Sequence, residues 1–451
     1  MKLSEIEPTL REIGVAPVKT LGQNFLHDAN LARWIVEKAD LQQDDYVVEI
    51  GPGLGALTEF IVESGASVLA IEKDRRLVEF LRKRFANKRV EILHADALDF
   101  DLRPLYGERR VKLLGNLPYY IASQLLIKFA KEPSPISLWL FMLQKEMARR
   151  ISASAGSGDY GALSLAIQVQ HRVDYLRTVP ASVFLPQPDV DSAFVRITPR
   201  AADELPPHDP EAFSKVVRLG FSQRRKQLRN LLREVVPDWD EAAAAIGFEP
   251  RARAEELSLE QWVTLSTWRP VRSLHNEADK APERFPVVDE NDRVVRIAPR
   301  GEVHGNNLWH RAVHLFIFNS QGELFLQKRS GWKDRHPLAW DSSAAGHVEE
   351  EEEYDKTAVR ELQEELGVTA DLRRVVKLPS SPQTGWEFIW LYRGHHDGPF
   401  TLARQEIEHG EFFPLDVITR WIKARPGDFA PGFLQCWNAY QEAAVSASAK
   451  N

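Results

Sequence analysis

Tyr46-Val47-Val48-Glu49-Ile50-Gly51-Pro52-Gly53-Leu54-Gly55 decides how the longer part of this chain is read. Val47, Val48 and Ile50 form an apolar run suited to a buried parallel strand, and glycines follow at alternate positions, Gly51, Gly53 and Gly55. Glycine there lets the backbone turn tightly and approach a ligand with no Cβ in the way. Residues 56–64 read as a helix whose N-terminus faces that ligand. Alone, such a turn equally suits a strand-to-helix connection that binds nothing.

The flanking sequence favours the ligand. A second apolar run, 68–71, ends in Glu72, about 20 residues beyond the first glycine, where nucleotide-binding folds place an acid for ribose hydroxyls. A third, 91–94, leads to Asp96, and a fourth, 111–114, leads to Gly115-Asn116-Leu117-Pro118-Tyr119-Tyr120. Each run delivers polar groups to the carboxyl edge, where open parallel sheets bind ligands. Strands and helices alternate to about residue 148, which predicts an α/β fold with helices on both faces of the sheet. Upstream, KTLGQNFL at 19–26 reads either as a loop over the site or as an arm that packs.

Asn116 to Tyr119 carries the most telling chemistry. A planar exocyclic amine needs acceptors in its plane, and the Asn116 side-chain oxygen with a backbone carbonyl can supply them. Tyr119 offers a π-face for a base, and Pro118 stiffens the turn. An Asn-x-Pro turn without chemistry is the competing reading.

The totals bound the answer. The chain has 451 residues and a net charge of -7, enough for two or three domains. One cysteine, Cys436, excludes an internal disulfide and suits a reducing compartment. The charged start MKLSEIEPTLREIG has no apolar leader core. The longest apolar run, near 136–143, is too short to span a bilayer. The expectation is a soluble cytoplasmic protein with no membrane partner. Its charge excludes a simple polycation, and most of the acidity falls after residue 270.

To about residue 270 the chain resembles the small-subunit ribosomal RNA adenine-N6,N6-dimethyltransferase family. The resemblance rests on GQNFL at 22–26, EIGPGLGALT at 49–58, IEKD at 71–74, HADAL at 94–98 and GNLPYYI at 115–121. VFLPQPDVDSAFVRI at 183–197 and GFSQRRKQLRNLL at 220–232 extend it. It implies a Rossmann-like fold with a small helical C-terminal lobe and S-adenosylmethionine as methyl donor. It also implies a donor cleft of Asn24, Leu26, Gly51, Glu72, Asp96 and Asn116. In that cleft Gly51 and Gly53 approach the methionine part, Glu72 takes the ribose hydroxyls, and Asp96 meets the adenine amine. Asn116 and the Leu117 carbonyl hold the target N6, and Tyr119 and Phe184 are candidates to stack on the target base. Core packing is the alternative for Phe184. The implied substrate is small-subunit rRNA within a ribosomal precursor, methylated at adjacent adenosines near its 3′ end.

Residues 212–233 contain Lys215, Arg218, Arg224, Arg225, Lys226, Arg229 and Arg233 and no acid. Helical spacing would place Arg225 with Arg229, and Arg218 with Arg225, on shared faces. Phosphate binding is favoured over a merely solvated face. The expected divisions are a catalytic domain at 1–200, an RNA-binding lobe at 201–270, a linker at 271–283 and a further domain at 284–451.

In that last part, Gly346, Glu352, Arg360-Glu361-Leu362, Glu364-Glu365 and Gly367-Val368 match the Nudix box, G-x5-E-x7-R-E-U-x-E-E-x-G-U, at every fixed position. The resemblance implies an α+β Nudix fold. On a helix, Glu361, Glu364 and Glu365 lie at i, i+3 and i+4, so their carboxylates converge. Hard oxygen ligands gathered this way suit Mg²⁺ or Mn²⁺, with Gly346 letting the backbone approach the metal and Glu361 catalytic. Diphosphate hydrolysis of a small molecule follows. Either Glu406 or Glu408 could add a ligand. The same part resembles isopentenyl diphosphate isomerase, in which histidines matching His304, His310 and His347 bind a metal. Ala345 stands where that enzyme has its cysteine, which disfavours isomerisation. Metal-binding and core histidines both stay open.

Two readings of the whole compete: a bifunctional methyltransferase and Nudix diphosphatase, and a ribosome-assembly factor whose RNA binding outweighs its chemistry, with a nucleotide-binding or isomerase-like Nudix part.

Overall fold

A computed structural model describes residues 3–16, 23–118, 121–130, 134–201, 203–223, 225–268, 283–333 and 335–448. Tyr119, Arg224 and positions 271–282 of the expected linker lie outside the described residues. Two compact units form, Met1–Pro206 with Glu211–Ser266, and Pro207–Pro210 with Thr267–Asn451.

The first unit holds β1 (Phe25–Leu26), β2 (Tyr46–Ile50), β3 (Ser67–Glu72), β4 (Val90–His94), β5 (Val111–Asn116), β6 (Ile136–Gln144), β7 (His171–Val179), β8 (Phe184–Leu185) and β9 (Ser192–Pro199). Seven of these make one sheet in the order β4-β3-β2-β5-β6-β9-β7. The strands from β4 through β6 run parallel, and β9 and β7 add antiparallel pairs. Parallel strands covered on both faces need continuous apolar runs, as Val47, Val48 and Ile50 provide; all three are buried. Edge strand β7 instead alternates and carries Arg172, Asp174 and Arg177. Strand order reverses between β2 and β5, which opens a crevice at their carboxyl ends.

Residues 211–266 belong to this first unit, and here the structure corrects the sequence reading. The helix Pro210–Gly220 stops, and a separate short helix, Leu228–Leu232, follows. Gly220 lies against the Trp262 ring and Leu228, where a side chain would clash, and Gln227 bridges to Arg253. Tertiary packing therefore breaks the helix, so Arg218 does not share a helical face with Arg225, and Arg225 precedes the helix of Arg229. Arg218, Arg225, Lys226 and Arg229 are exposed. Arg229 is met by Asp240 at 3.1 Å, an acid outside the basic run.

The second unit holds a hairpin of β10 (Arg284–Val288) and β11 (Val294–Pro299). A mixed sheet follows, from β12 (His310–Phe318), β13 (Leu324–Arg329), β14 (Trp340–Asp341), β15 (Ala344–His347), β16 (Arg373–Leu378), β17 (Glu387–His395) and β18 (Ile407–Phe413). Central β12 runs parallel to β17 and antiparallel to β15. The helix Tyr354–Leu366 buries Ala358, Leu362 and Leu366 in one cluster with Val313, Leu315 and Ile317. Cys436 is buried within the helix Pro431–Ser448. Among the described residues no helix is long and apolar enough to cross a membrane.

Gly115 shows how tightly the first sheet is closed beside the crevice. It pairs with Ile50, and a Cβ on it would fall 2.5 Å from the Ile50 carbonyl oxygen. Gly115→Ala should therefore cost about 1–3 kcal/mol, read as a lower urea midpoint for the first unit. Gly158→Ala, with open space around it, should stay within about 0.5 kcal/mol of the parent.

Candidate active sites

At the carboxyl end of β2 the chain turns through Gly51 (φ +67°) and Gly53 (φ +58°), a conformation that side chains with a Cβ rarely adopt. Gly53 N donates to Glu72 Oε2 at 3.3 Å, and Asp74 N donates to Glu72 Oε1 at 2.9 Å. Glu72 is buried, and burial raises its pKa despite these donors. Asn116 Nδ2 donates to the Asn24 carbonyl at 3.0 Å, which leaves Oδ1 as the acceptor end of that amide. Asp96 accepts from Lys73 Nζ at 2.7 Å and from Leu98 N at 2.9 Å, and the Lys73 bond helps hold its carboxyl below the usual range.

Asn24, Gly51, Gly53, Glu72, Asp96 and Asn116 all line one cavity of about 90 Å³, together with Lys73 and Pro118. Leu26 lines a neighbouring cavity of about 40 Å³ with Asn24, Glu49, Gly53 and Asn116. Six of the seven expected cleft residues thus meet around one space, and the seventh borders the next. Leu117 is buried, and its N–H donates to Met142 O at 3.2 Å.

Phe184 differs from the stacking expectation. β8 pairs antiparallel with β1, Phe184 opposite Leu26, and the ring packs at 2% exposure in a cluster with Leu31, Val179 and Phe194. Core packing holds at that position.

Glu49 was missed. An acid inside an otherwise apolar strand run is the signal that could have found it. It accepts from Thr58 Oγ1 at 2.6 Å, and burial pushes its carboxyl up to about 7.

In the second unit Glu361, Glu364, Glu365 and Gly346 line one cavity of about 520 Å³. Arg360 ties the acids together, donating at 2.9 Å to both Glu361 and Glu364 and at 3.0 Å to Glu352. Glu365 accepts from Ala345 N at 3.0 Å and Gln327 Nε2 at 3.1 Å. A Cβ built on Gly346 would overlap the Glu361 carboxylate, so only glycine lets the acid lie against this backbone. Burial and the neighbouring Glu365 push the Glu361 carboxyl up to about 8. Glu406 also lines the cavity and pairs with Lys333, whereas Glu408 pairs with Lys328 at 3.5 Å and does not line it.

A second group borders the same cavity, with His304, His347 and Glu387 lining it and His310 buried behind them. One ligand atom each from His304, His310, His347 and Glu387 lies within 4.8 Å of every other. His310 Nδ1 bonds the Leu308 carbonyl at 2.8 Å, which aims Nε2 at Glu387 Oε1, 3.5 Å away. His347 Nε2 lies 3.3 Å from both His304 Nε2 and Glu387 Oε1. Burial lowers His347 to about 4, leaving it a neutral imidazole near pH 7. Burial alone would raise Glu387, but His310 and His347 hold it far below the usual carboxylate range. The chemistry of this donor set fits a divalent cation. Sequence reading missed Glu387, and it missed the cationic wall of Arg300, Arg329, Lys333 and Arg335. The run QKRSGWKDR at 327–335 carried part of that signal.

Comparisons with known proteins agree with both halves. The family model described as ribosomal RNA adenine dimethylase matches residues 18–269, and the NUDIX domain model matches 308–432. The ribosomal RNA small subunit methyltransferase A of Geobacillus thermodenitrificans is 40% identical over 270 residues, covering 57% of this chain and 92% of that protein. Its counterpart in Chlorobium phaeobacteroides is 42% identical over 263 residues, covering 58% and 97%. Among solved structures, the 23S rRNA methyltransferase ErmE is 28% identical with a TM-score of 0.46, covering 54% of this chain and 98% of that one.

Glu49 has a pH signature. The folded state holds its proton up to about pH 7, whereas the ordinary value is 4.5. The native form thus binds more protons between these limits, and stability falls as pH rises across them. Glu49→Gln removes this slope. Between pH 4 and pH 8 it should gain roughly 2–3 kcal/mol on the parent, measured as the difference in urea midpoints at each pH.

Proposed function

The chain belongs to the ribosomal RNA adenine dimethylase family, and from that premise we propose how its two sites work. The first unit dimethylates N6 of adjacent adenosines near the 3′ end of small-subunit rRNA. The single observation that carries this reading is the convergence of Asn24, Glu72, Asp96 and Asn116 on one cavity at the strand-order reversal. S-adenosylmethionine supplies an electrophilic methyl on sulfur. Gly51 and Gly53 admit its methionine part, Glu72 accepts from its ribose hydroxyls, and Asp96 accepts from its adenine amine. The Asn24 carbonyl fixes the Asn116 amide so that Oδ1 faces the target amine. Asn116 and the Leu117 carbonyl then hold N6 with its lone pair towards the methyl. Alignment of this kind supplies most of the acceleration, since a sulfonium is already a good leaving group. The exposed Arg218, Arg225 and Lys226 attract the phosphate backbone; Arg229 does so less, being met by Asp240.

The second unit hydrolyses a diphosphate-containing small molecule. A divalent metal held there would supply Lewis acidity toward the diphosphate and lower the pKa of the attacking water. Glu361, Glu364 and Glu365, with Glu406 rather than Glu408, are an all-oxygen set suited to Mg²⁺ or Mn²⁺. His304, His310, His347 and Glu387 are a nitrogen-rich set that suits Mn²⁺ or Zn²⁺. Arg300, Arg329, Lys333 and Arg335 face the substrate's negative charge. Ala345 provides no thiol for isomerisation, and diphosphate hydrolysis fits the carboxylate helix.

Separate experiments test the two halves on the full chain. Glu72→Ala should abolish donor binding by calorimetry while leaving affinity for ribosomal precursor nearly intact. Asn116→Ala should cut methylation about 100-fold; unchanged rates would overturn the cleft assignment. Independently, a diphosphate screen with Mg²⁺ and Mn²⁺ should reveal hydrolysis that Glu364→Gln and Glu365→Gln each remove while methylation persists. Hydrolysis surviving both changes would rule out the box helix as the metal site.

A further inference from the structure

Lys73 takes no part in the roles above, yet it lines the donor cavity beside Asp96. It follows Glu72 at the end of β3, and Asp96 lies two residues beyond the end of β4. Lys73 Nζ reaches Asp96 Oδ2 at 2.7 Å, and the Lys73 carbonyl lies 3.2 Å from Nε2 of His94, the last residue of β4. The lysine is thus fastened to the neighbouring strand end by main chain and side chain together. Asp96 is gripped from its other oxygen as well, where Oδ1 accepts from Leu98 N at 2.9 Å. The loop that carries it is tied in turn, because Lys128 Nζ donates to the Leu98 and Phe100 carbonyls at 2.5 and 2.6 Å.

These bonds fix the carboxylate plane without exhausting it. A carboxylate has about four lone-pair sites, and these bonds use two, one on each oxygen. The Asp96 side chain is 21% exposed, so a loose carboxylate there would sample several rotamers and lose entropy on binding a ligand. A charge-assisted bond from a neighbouring strand end removes that freedom in advance.

We propose that Lys73 is a positioning residue for the donor site: it holds Asp96 in the orientation in which the carboxylate accepts from the donor's adenine amine. The inference rests on the reading that Asp96 meets that amine, and a double-mutant cycle separates the two. The probe is S-adenosyl-L-homocysteine, titrated by calorimetry into the full chain and into Lys73→Met, Lys73→Arg, Asp96→Asn and the Lys73→Met/Asp96→Asn pair. Because Lys73 is half exposed, the expected loss for Lys73→Met is moderate, about three- to tenfold. Lys73→Arg should recover affinity to within about twofold, and in the Asp96→Asn background Lys73→Met should cost less than about twofold.

A Lys73→Met loss of equal size in both backgrounds would make the lysine a structural or packing residue and overturn the proposal. So would unchanged or tighter binding by Lys73→Met while Asp96→Asn binds weakly. If Asp96→Asn itself leaves affinity unchanged, the Asp96 assignment falls and the Lys73 proposal falls with it. Circular dichroism and the urea midpoint of each variant identify any that fail to fold, and Lys73→Arg with Asp96→Asn then completes a second cycle.

Discussion

Burying a carboxylate is among the most costly things a fold does unless donors or cations meet it, and both units of this chain bury several. For Glu49 and Glu72, the acids buried beside the first unit's cleft, the compensation is neutral. Thr58 meets Glu49, and the backbone N–H groups of Gly53 and Asp74 meet Glu72. In the second unit it is ionic and incomplete. Arg360 is shared among Glu352, Glu361 and Glu364, and Lys333 is drawn to Glu406. Burial raises the Glu361 and Glu365 carboxyls, helped at Glu361 by the neighbouring Glu365 and at Glu365 by Asp341. The two sites therefore differ electrostatically. The first meets its buried acids with neutral donors; in the second, the acids outnumber the cations Arg300, Arg329, Lys333, Arg335 and Arg360 that line the same cavity.

Topology delivers these groups in different ways. In the first unit each parallel strand ends at the same edge, so one polar residue per strand is enough to line the crevice. In the second unit a single strand does much of the placing. Side chains alternate along β12, so His310, Ala312 and His314 share one face; Ala312 and His314 line the cavity, and His310 lies buried behind it. Parallel pairing with β17 then sets Glu387 opposite His310, which completes the histidine group. His314, paired with Ala345, is bonded to Ser342 Oγ at 2.7 Å.

What was legible in the sequence was local. The G-x-G-x-G turn, the acid closing each apolar run and the i, i+3, i+4 carboxylates all follow from periodicities within one or two elements. Glu387 was invisible because its place comes from strand register, not from spacing along the chain. The choice of Glu406 over Glu408 also needed three dimensions, since Glu406, just before β18, meets Lys333 beyond the end of β13, whereas Glu408, within β18, meets Lys328 on β13. The basic segment was misread because helical period was carried across Gly220, where Trp262, from a later helix, sets the stop. Phe184, open between stacking and core packing in the sequence, is decided in the same way: pairing with the short β1 turns its ring inward. Each miss traces to a partner distant in sequence.

Cys436, the sole thiol, sits in the second unit with no exposure to solvent. A thiol reagent can reach it only when the helix Pro431–Ser448 leaves its packing, so the rate of modification reports the opening of that region. Opening of the methyltransferase unit produces no thiol signal at all. The chain thus carries a built-in, one-sided reporter: an event common to both units and one confined to the first can be told apart without adding any label.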